Sequence, residues 1–129
     1  MLARILLQLF AHHGVPPLAV RPVATERKCV ARAKSYMAEH LDRPILLKDI
    51  AAAAGLSSFY FLRTFKRVTG MPPHAYLNQI RLERARTLLA DGEPPAQVAA
   101  ALGFTDQSHL IRRFKAAFGV TPGQYRAAS

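Results

Sequence analysis

The chain has 129 residues, room for one compact domain or two very small ones sharing a core. Half of them are apolar, which argues against wholesale disorder, and 18 Lys+Arg against 8 Asp+Glu leave a formal charge of +10. An enzyme with a separate cofactor domain is excluded by size, and the single cysteine, Cys29, excludes an internal disulfide and suits a reducing compartment. So basic a body favours a polyanionic partner, nucleic acid ahead of an anionic membrane surface.

Residues 1–13 carry a short apolar patch of helical period, with Leu2, Ile5, Leu6 and Leu9 on one face and Arg4, Gln8 and His12 on the other. The patch lacks the basic lead and A-x-A site of a signal peptide and falls short of the ~20 residues that span a bilayer. Gly14-Val15-Pro16-Pro17 ends it and Pro22 keeps the chain extended, so residues 14–24 read as a linker. From Thr25 onward the chain predicts seven helices and no strand. Thr25 is placed to cap the first, running to about His40 with Val30, Ala33, Met37 and Leu41 inward. An Ala-rich helix over Leu47–Ala54 stops at Gly55, and Ser57 can cap the next, which runs to Thr69 and ends at Gly70. Pro72-Pro73 opens a long helix to about Ala90, with Tyr76, Ile80 and Leu88 expected inward. A short helix from Pro95 ends at Gly103, Asp106 caps another through Phe118, and Thr121-Pro122 starts the last, to about Ala128.

A duplication at a spacing of 48–49 residues organises this string of helices. The first copy reads Ile50-Ala51-Ala52-Ala53-Ala54-Gly55-Leu56-Ser57, then Phe61-Leu62-Arg63-Thr64-Phe65-Lys66, Gly70, Pro73 and Tyr76. The second reads Val98-Ala99-Ala100-Ala101-Leu102-Gly103-Phe104-Thr105, then Leu110-Ile111-Arg112-Arg113-Phe114-Lys115, Gly119, Pro122 and Tyr125. A short helix, a glycine turn and a second helix make a helix-turn-helix, and each copy holds one. Ala51 and Ala99 leave space for a crossing helix, and Leu56 and Phe104 plug the corner. Phe61, Phe65 and Val68 are expected to anchor the first outer helix, and Leu110, Phe114 and Ala117 the second.

The opposite faces of the outer helices point to the partner. Phe59, Leu62, Arg63 and Lys66 share one stripe, and Ser108, Ile111, Arg112 and Lys115 repeat its spacing, with Gln107 and His109 beside them. Arginine pairs bidentately with guanine, a carboxamide with adenine, and apolar groups touch the thymine methyl, so these are base-reading candidates. Lys66 and Lys115 lie a turn further on, and with Ser58, Arg67 and Arg113 they suit phosphate. Two plainer roles stay open: Phe59 and Leu62 can instead pack on a neighbouring helix, and His109 can serve only to hold its helix start. The histidines have no metal-ligand spacing, and neither a phosphate-binding Gly-rich loop nor a nucleophile–base pair appears, so no cofactor, metal or catalytic residue is expected.

Gly55-Leu56-Ser57 with Arg63-x-Phe65-Lys66 and Gly70, followed by Gly103-Phe104-x-Asp106-Gln107-Ser108-His109, Arg112-x-Phe114-Lys115, Gly119, Thr121-Pro122 and Tyr125, resembles the DNA-binding domain of the AraC/XylS family of bacterial transcription regulators over residues 25–129. The resemblance implies an all-α, homeodomain-like pair of helix-turn-helix subdomains, 25–72 and 92–129, joined by a long helix within 73–91. By carry-over, Phe59, Leu62 and Arg63, then Gln107, Ser108, His109, Ile111 and Arg112, read bases. The implied partners are double-stranded promoter DNA and RNA polymerase, with no membrane, a cytoplasmic, nucleoid-associated location and activation as the output. Residues 1–24 then look like the remnant of an N-terminal sensor and dimerisation domain, through which a homodimer would form, and the chain like a fragment or a shortened protein. Two departures stand out: Leu46 replaces the Ser or Thr that usually caps the first inner helix, and Leu62 replaces a polar residue. The competing readings are a module that docks an acidic protein and a sequence-blind nucleic-acid binder; an enzyme acting on nucleic acid lacks any acid/base or metal constellation.

Overall fold

The computed structural model describes residues 23–129, which form seven helices: α1 (Val23–Glu39), α2 (Leu47–Ala54), α3 (Ser58–Thr69), α4 (Pro73–Ala90), α5 (Pro95–Ala101), α6 (Gln107–Phe118) and α7 (Pro122–Ala128). No strand occurs among the described residues. The patch expected at residues 1–13 and the greater part of the 14–24 linker lie outside them. α1, α2 and α3 pack on one another, α5, α6 and α7 gather against α4, and α4 also touches α3, so the long helix joins two three-helix groups.

Local chemistry sets most of the boundaries. The Ser57 side chain accepts from the Tyr60 N–H at 3.3 Å and starts α3, and Asp106 accepts from the His109 N–H at 2.8 Å and starts α6. A capping box opens α7, with the Thr121 Oγ1 accepting from Gln124 N–H at 3.1 Å and the Gln124 Oε1 from Thr121 N–H at 2.9 Å. Leu46, by contrast, gives α2 no side-chain cap, as the departure at that position implies. One expected start is displaced: α1 is already helical at Val23, two residues before Thr25, which sits half-buried inside the first turn rather than capping it. The force holding this end is tertiary, because Glu26 in that turn is buried and paired with Arg67 of α3.

The core is one continuous cluster running through both groups, with Met37, Phe61, Phe65, Leu89, Val98, Leu110 and Phe114 fully buried. Each such side chain contributes about 1.5–3 kcal/mol through burial. α1 delivers the expected stripe of Val30, Ala33, Met37 and Leu41. α4 does not: Tyr76, Ile80 and Leu88 are half-buried at the margin, and Leu77, Leu82, Ala85 and Leu89 are buried instead. The N-terminal half of α4 buries Pro73 and Leu77, the C-terminal half Leu82, Ala85 and Leu89. At 100° per residue the two sets lie on the order of 100° apart around the axis, so a helix serving two groups has no single apolar stripe to detect. Val68 and Ala117, expected as anchors, are exposed in the last turns of their helices. Thr64 takes the buried position one turn before Val68, and Phe118 packs half-buried against Phe114 with ring centroids 4.7 Å apart.

Polar ties hold α4 to its surroundings. The Arg81 guanidinium donates from Nε to the Leu41 carbonyl at 3.3 Å and from Nη2 to the Arg43 carbonyl at 2.7 Å. Burial lowers the pKa of this group below the ordinary arginine value. Arg86 lies over the Phe118 ring, 4.9 Å from its centroid, and Arg126 of α7 donates to the Gly92 carbonyl at 2.8 Å.

Candidate nucleic-acid interface

Each helix-turn-helix repeats the same internal geometry. The turn glycines Gly55 and Gly103 have φ of +76° and +75°, the left-handed region that a residue with a Cβ enters at a cost. Ala51 and Ala99 are buried where the second helix crosses. Phe65 meets Tyr76 edge-on at 5.5 Å, and Phe114 meets Tyr125 in the same way at 5.7 Å. With Phe61, Thr64, Phe65, Leu110 and Phe114 turned inward, one face of α3 and one of α6 are left to solvent.

On α3, Phe59 is 62% exposed and Leu62 39% exposed, so neither is absorbed by a neighbouring helix. Arg63 is exposed, and its guanidinium stands over the Phe59 ring, 5.7 Å from the centroid. The expected stripe is therefore brought together as an arginine laid on an aromatic face. Lys66 is exposed a turn later and Ser58 is half-buried. Arg67 is exposed and pairs with Glu26 of α1, which matches its charge within the fold. The carboxylate that holds it lies 41 positions away in sequence, beyond the reach of helical spacing.

On α6, Gln107, Ser108, Arg112, Arg113 and Lys115 are exposed and Ile111 is half-buried. Among the described residues no carboxylate pairs with Arg63, Lys66, Arg112, Arg113 or Lys115. His109 is half-buried at the start of α6. Its Nδ1 accepts from the Thr105 N–H at 3.3 Å and its ring lies edge-on to Phe104 at 5.4 Å, so it braces the turn before α6. An accepting Nδ1 assigns the ring proton of the neutral imidazole to Nε2. Among the described residues no group of three or more His, Cys, Asp or Glu could hold a metal ion, and no helix is long and apolar enough to cross a membrane.

The family of the helix-turn-helix domain matches residues 50–128, the span of both copies. The Tn10 TetD protein of Escherichia coli is 37% identical over 92 residues, covering 70% of this chain and 67% of that protein. The chain belongs to the AraC/XylS family. The transcriptional activator NphR of a Rhodococcus species is 45% identical over 89 residues, 66% of this chain and 25% of that protein. Among solved structures, a Chromobacterium violaceum transcriptional regulator of the AraC type superposes with a TM-score of 0.74 at 31% identity, covering 81% of this chain and 94% of that one. The DNA-binding domain of AdpA, solved with a target DNA, gives a TM-score of 0.73 at 30% identity, covering 78% and 92%. The AraC/XylS homologues and their fold are DNA-binding domains of regulators, not enzymes. The chain spans between 27% and 41% of the length of the first curated relatives it matches.

Proposed function

We propose that this chain reads double-stranded promoter DNA sequence-specifically, placing α3 and α6 in successive major-groove segments. The observation that carries the reading is the repeated exposed face: in each copy an arginine without a carboxylate partner stands mid-helix among side chains that suit base edges. Arg63, Phe59 and Leu62 read the first half-site, and Arg112, Gln107, Ser108 and Ile111 the second, while His109 sets the start of α6. Ser58, Lys66, Arg113 and Lys115 meet phosphate, with Arg67 set aside by its pairing to Glu26. An α4 of 18 residues is on the order of 27 Å long. That is slightly less than the ~34 Å between successive major-groove segments on one face of a duplex, so a rigid α4 with half-sites slightly closer than one turn requires the DNA to bend. One chain then covers two half-sites in direct repeat. Activation through RNA polymerase is the output we assign, in keeping with the likeness to NphR, which is named a transcriptional activator.

Selection of bound duplexes from a random library tests the reading. A two-part motif is expected. Arg63→Ala and Arg112→Ala should each lose ~1–3 kcal/mol and relax base choice in a different half of it. Lys66→Ala and Lys115→Ala should weaken all duplexes alike and reduce the salt slope by about one. A selection that enriches no motif, or arginine variants that weaken chosen and random duplexes equally, would overturn it.

A further inference from the structure

The two turn glycines share a backbone conformation and differ in what surrounds them. A Cβ at Gly55 would meet nothing within 4 Å. One at Gly103 would come within 2.7 Å of the Leu41 carbonyl oxygen, 3.1 Å of Arg81 Nη2 and 3.3 Å of the Arg43 backbone nitrogen. A 2.7 Å approach is closer than a side-chain carbon tolerates and the neighbour is backbone, so it has no rotamer with which to yield. Three parts of the molecule therefore meet at one point: residues 41–43 after α1, Arg81 of α4, and the glycine turn of the second unit. Arg81 fastens them by donating to the carbonyls of Leu41 and Arg43 at 3.3 and 2.7 Å. Those carbonyls lie 40 and 38 residues from it in sequence, and the turn at Gly103 leads directly through Asp106 into α6.

We infer that the Arg81–Leu41/Arg43–Gly103 joint fixes the separation and angular phase of α6 relative to α3, making Arg81 and Gly103 positioning residues that select the spacing between the two half-sites. The inference rests on the DNA-reading function proposed above. On B-DNA with 10–10.5 base pairs per turn, one inserted base pair rotates the second half-site by about 35°. A joint packed this closely against backbone does not turn that far, so a shifted half-site loses contacts equivalent to one or two mismatched base pairs. If the two units were joined by α4 alone, its ends could flex and a shift of one base pair would be absorbed.

The test measures binding of the 129-residue chain to duplexes carrying both selected half-sites at the selected spacing and at one base pair more or fewer. The wild-type protein should prefer its own spacing by on the order of 30-fold, the equivalent of one or two lost base contacts. Arg81→Ala should cut that preference to roughly threefold while keeping the salt slope, because no phosphate contact is removed. Arg81→Lys, which retains one cationic donor, should recover part of it. Gly103→Ala should lower the preference or move the optimum, whereas Gly55→Ala, carrying the same left-handed strain into open space, should keep the wild-type preference. A cooperative melt certifies each variant, and Arg81→Lys and Gly103→Ala decide the matter should Arg81→Ala not fold. Folded variants at Arg81 and Gly103 that keep the full preference, or that weaken every spacing by one common factor, overturn the joint. A wild-type protein that selects a motif but is indifferent to spacing overturns the joint alone. One that selects no motif overturns the DNA-reading function and the joint's role with it.

Discussion

The two helix-turn-helix units use the same local chemistry and lean on different supports. Gly55 and Gly103 turn alike, Phe65 and Phe114 are both fully buried, and each meets a tyrosine edge-on. Yet the residue after the central arginine is Thr64 in the first unit, 1% exposed, and Arg113 in the second, exposed. Three residues further on the contrast repeats: Arg67 is held by Glu26 of α1, and its counterpart Ala116 faces solvent. α1 lies across α3, covering a flank that α6 keeps open. A duplicated sequence pattern thus preserves the turn and the exposed stripe of each outer helix. The flanks are free to diverge according to what packs on them.

The largest test of that contrast removes the matched aromatics. Phe65→Ala and Phe114→Ala should each cost about 3–5 kcal/mol, a large share of the 5–15 kcal/mol that holds a domain together. Because the core is one cluster through both units, either substitution should lower the midpoint of a single transition in urea, followed by circular dichroism. If Phe114→Ala instead split the melt in two, with one step at the wild-type midpoint, the units would be independently stable and their shared core irrelevant to cooperativity.

A smaller effect of opposite sign isolates the covered flank. The Thr64 hydroxyl is buried with no hydrogen-bond partner, a state that costs part of its desolvation energy, about 1–3 kcal/mol. Thr64→Val keeps the shape and removes the hydroxyl, so it should stabilise the protein by roughly 1 kcal/mol and raise the melting temperature by about 4–8 °C. Arg113→Val at the matching position should change stability by less than about 0.5 kcal/mol, since that side chain is exposed. A Thr64→Val variant that melts lower would mean the hydroxyl has a partner when the protein is in water.

Legibility in the sequence divides along the same line, between local and distant causes. The glycine stops at Gly55, Gly70 and Gly119, the caps at Ser57, Asp106 and Thr121, and the missing cap at Leu46 are decided within four residues, and all are readable. The exposed stripe with Arg63 and Arg112 is readable too, because an i, i+3, i+4, i+7 pattern needs only the helix. The inward face of α4 is not, since two groups compete for it. Arg67 looks like any helix-end cation until α1 brings Glu26 to it. Nothing near Arg81 in sequence indicates the carbonyls of Leu41 and Arg43, and nothing distinguishes Gly103 from Gly55 except the neighbours each acquires on folding. The pairing of Glu26 in the first turn of α1 with Arg67 belongs with these, since the two lie 41 positions apart.

The smallest expected difference lies in the caps that launch the two outer helices. Asp106 accepts at 2.8 Å and brings a negative charge to the positive end of α6, whereas Ser57 accepts at 3.3 Å and brings only a neutral hydroxyl to α3. Asp106→Ala should therefore cost about 1 kcal/mol and Ser57→Ala about half that. Asp106→Asn divides the larger value into its parts, because it retains an accepting oxygen and discards the charge. The dipole contributes about 0.3–1 kcal/mol at low ionic strength and fades as salt is added, while the cap hydrogen bond does not. The deficit of Asp106→Asn relative to the wild-type protein should shrink between low and high salt, and that of Ser57→Ala should stay constant. Equal, salt-independent deficits at both positions would mean that the charge adds nothing and that the two units begin their outer helices by the same means after all.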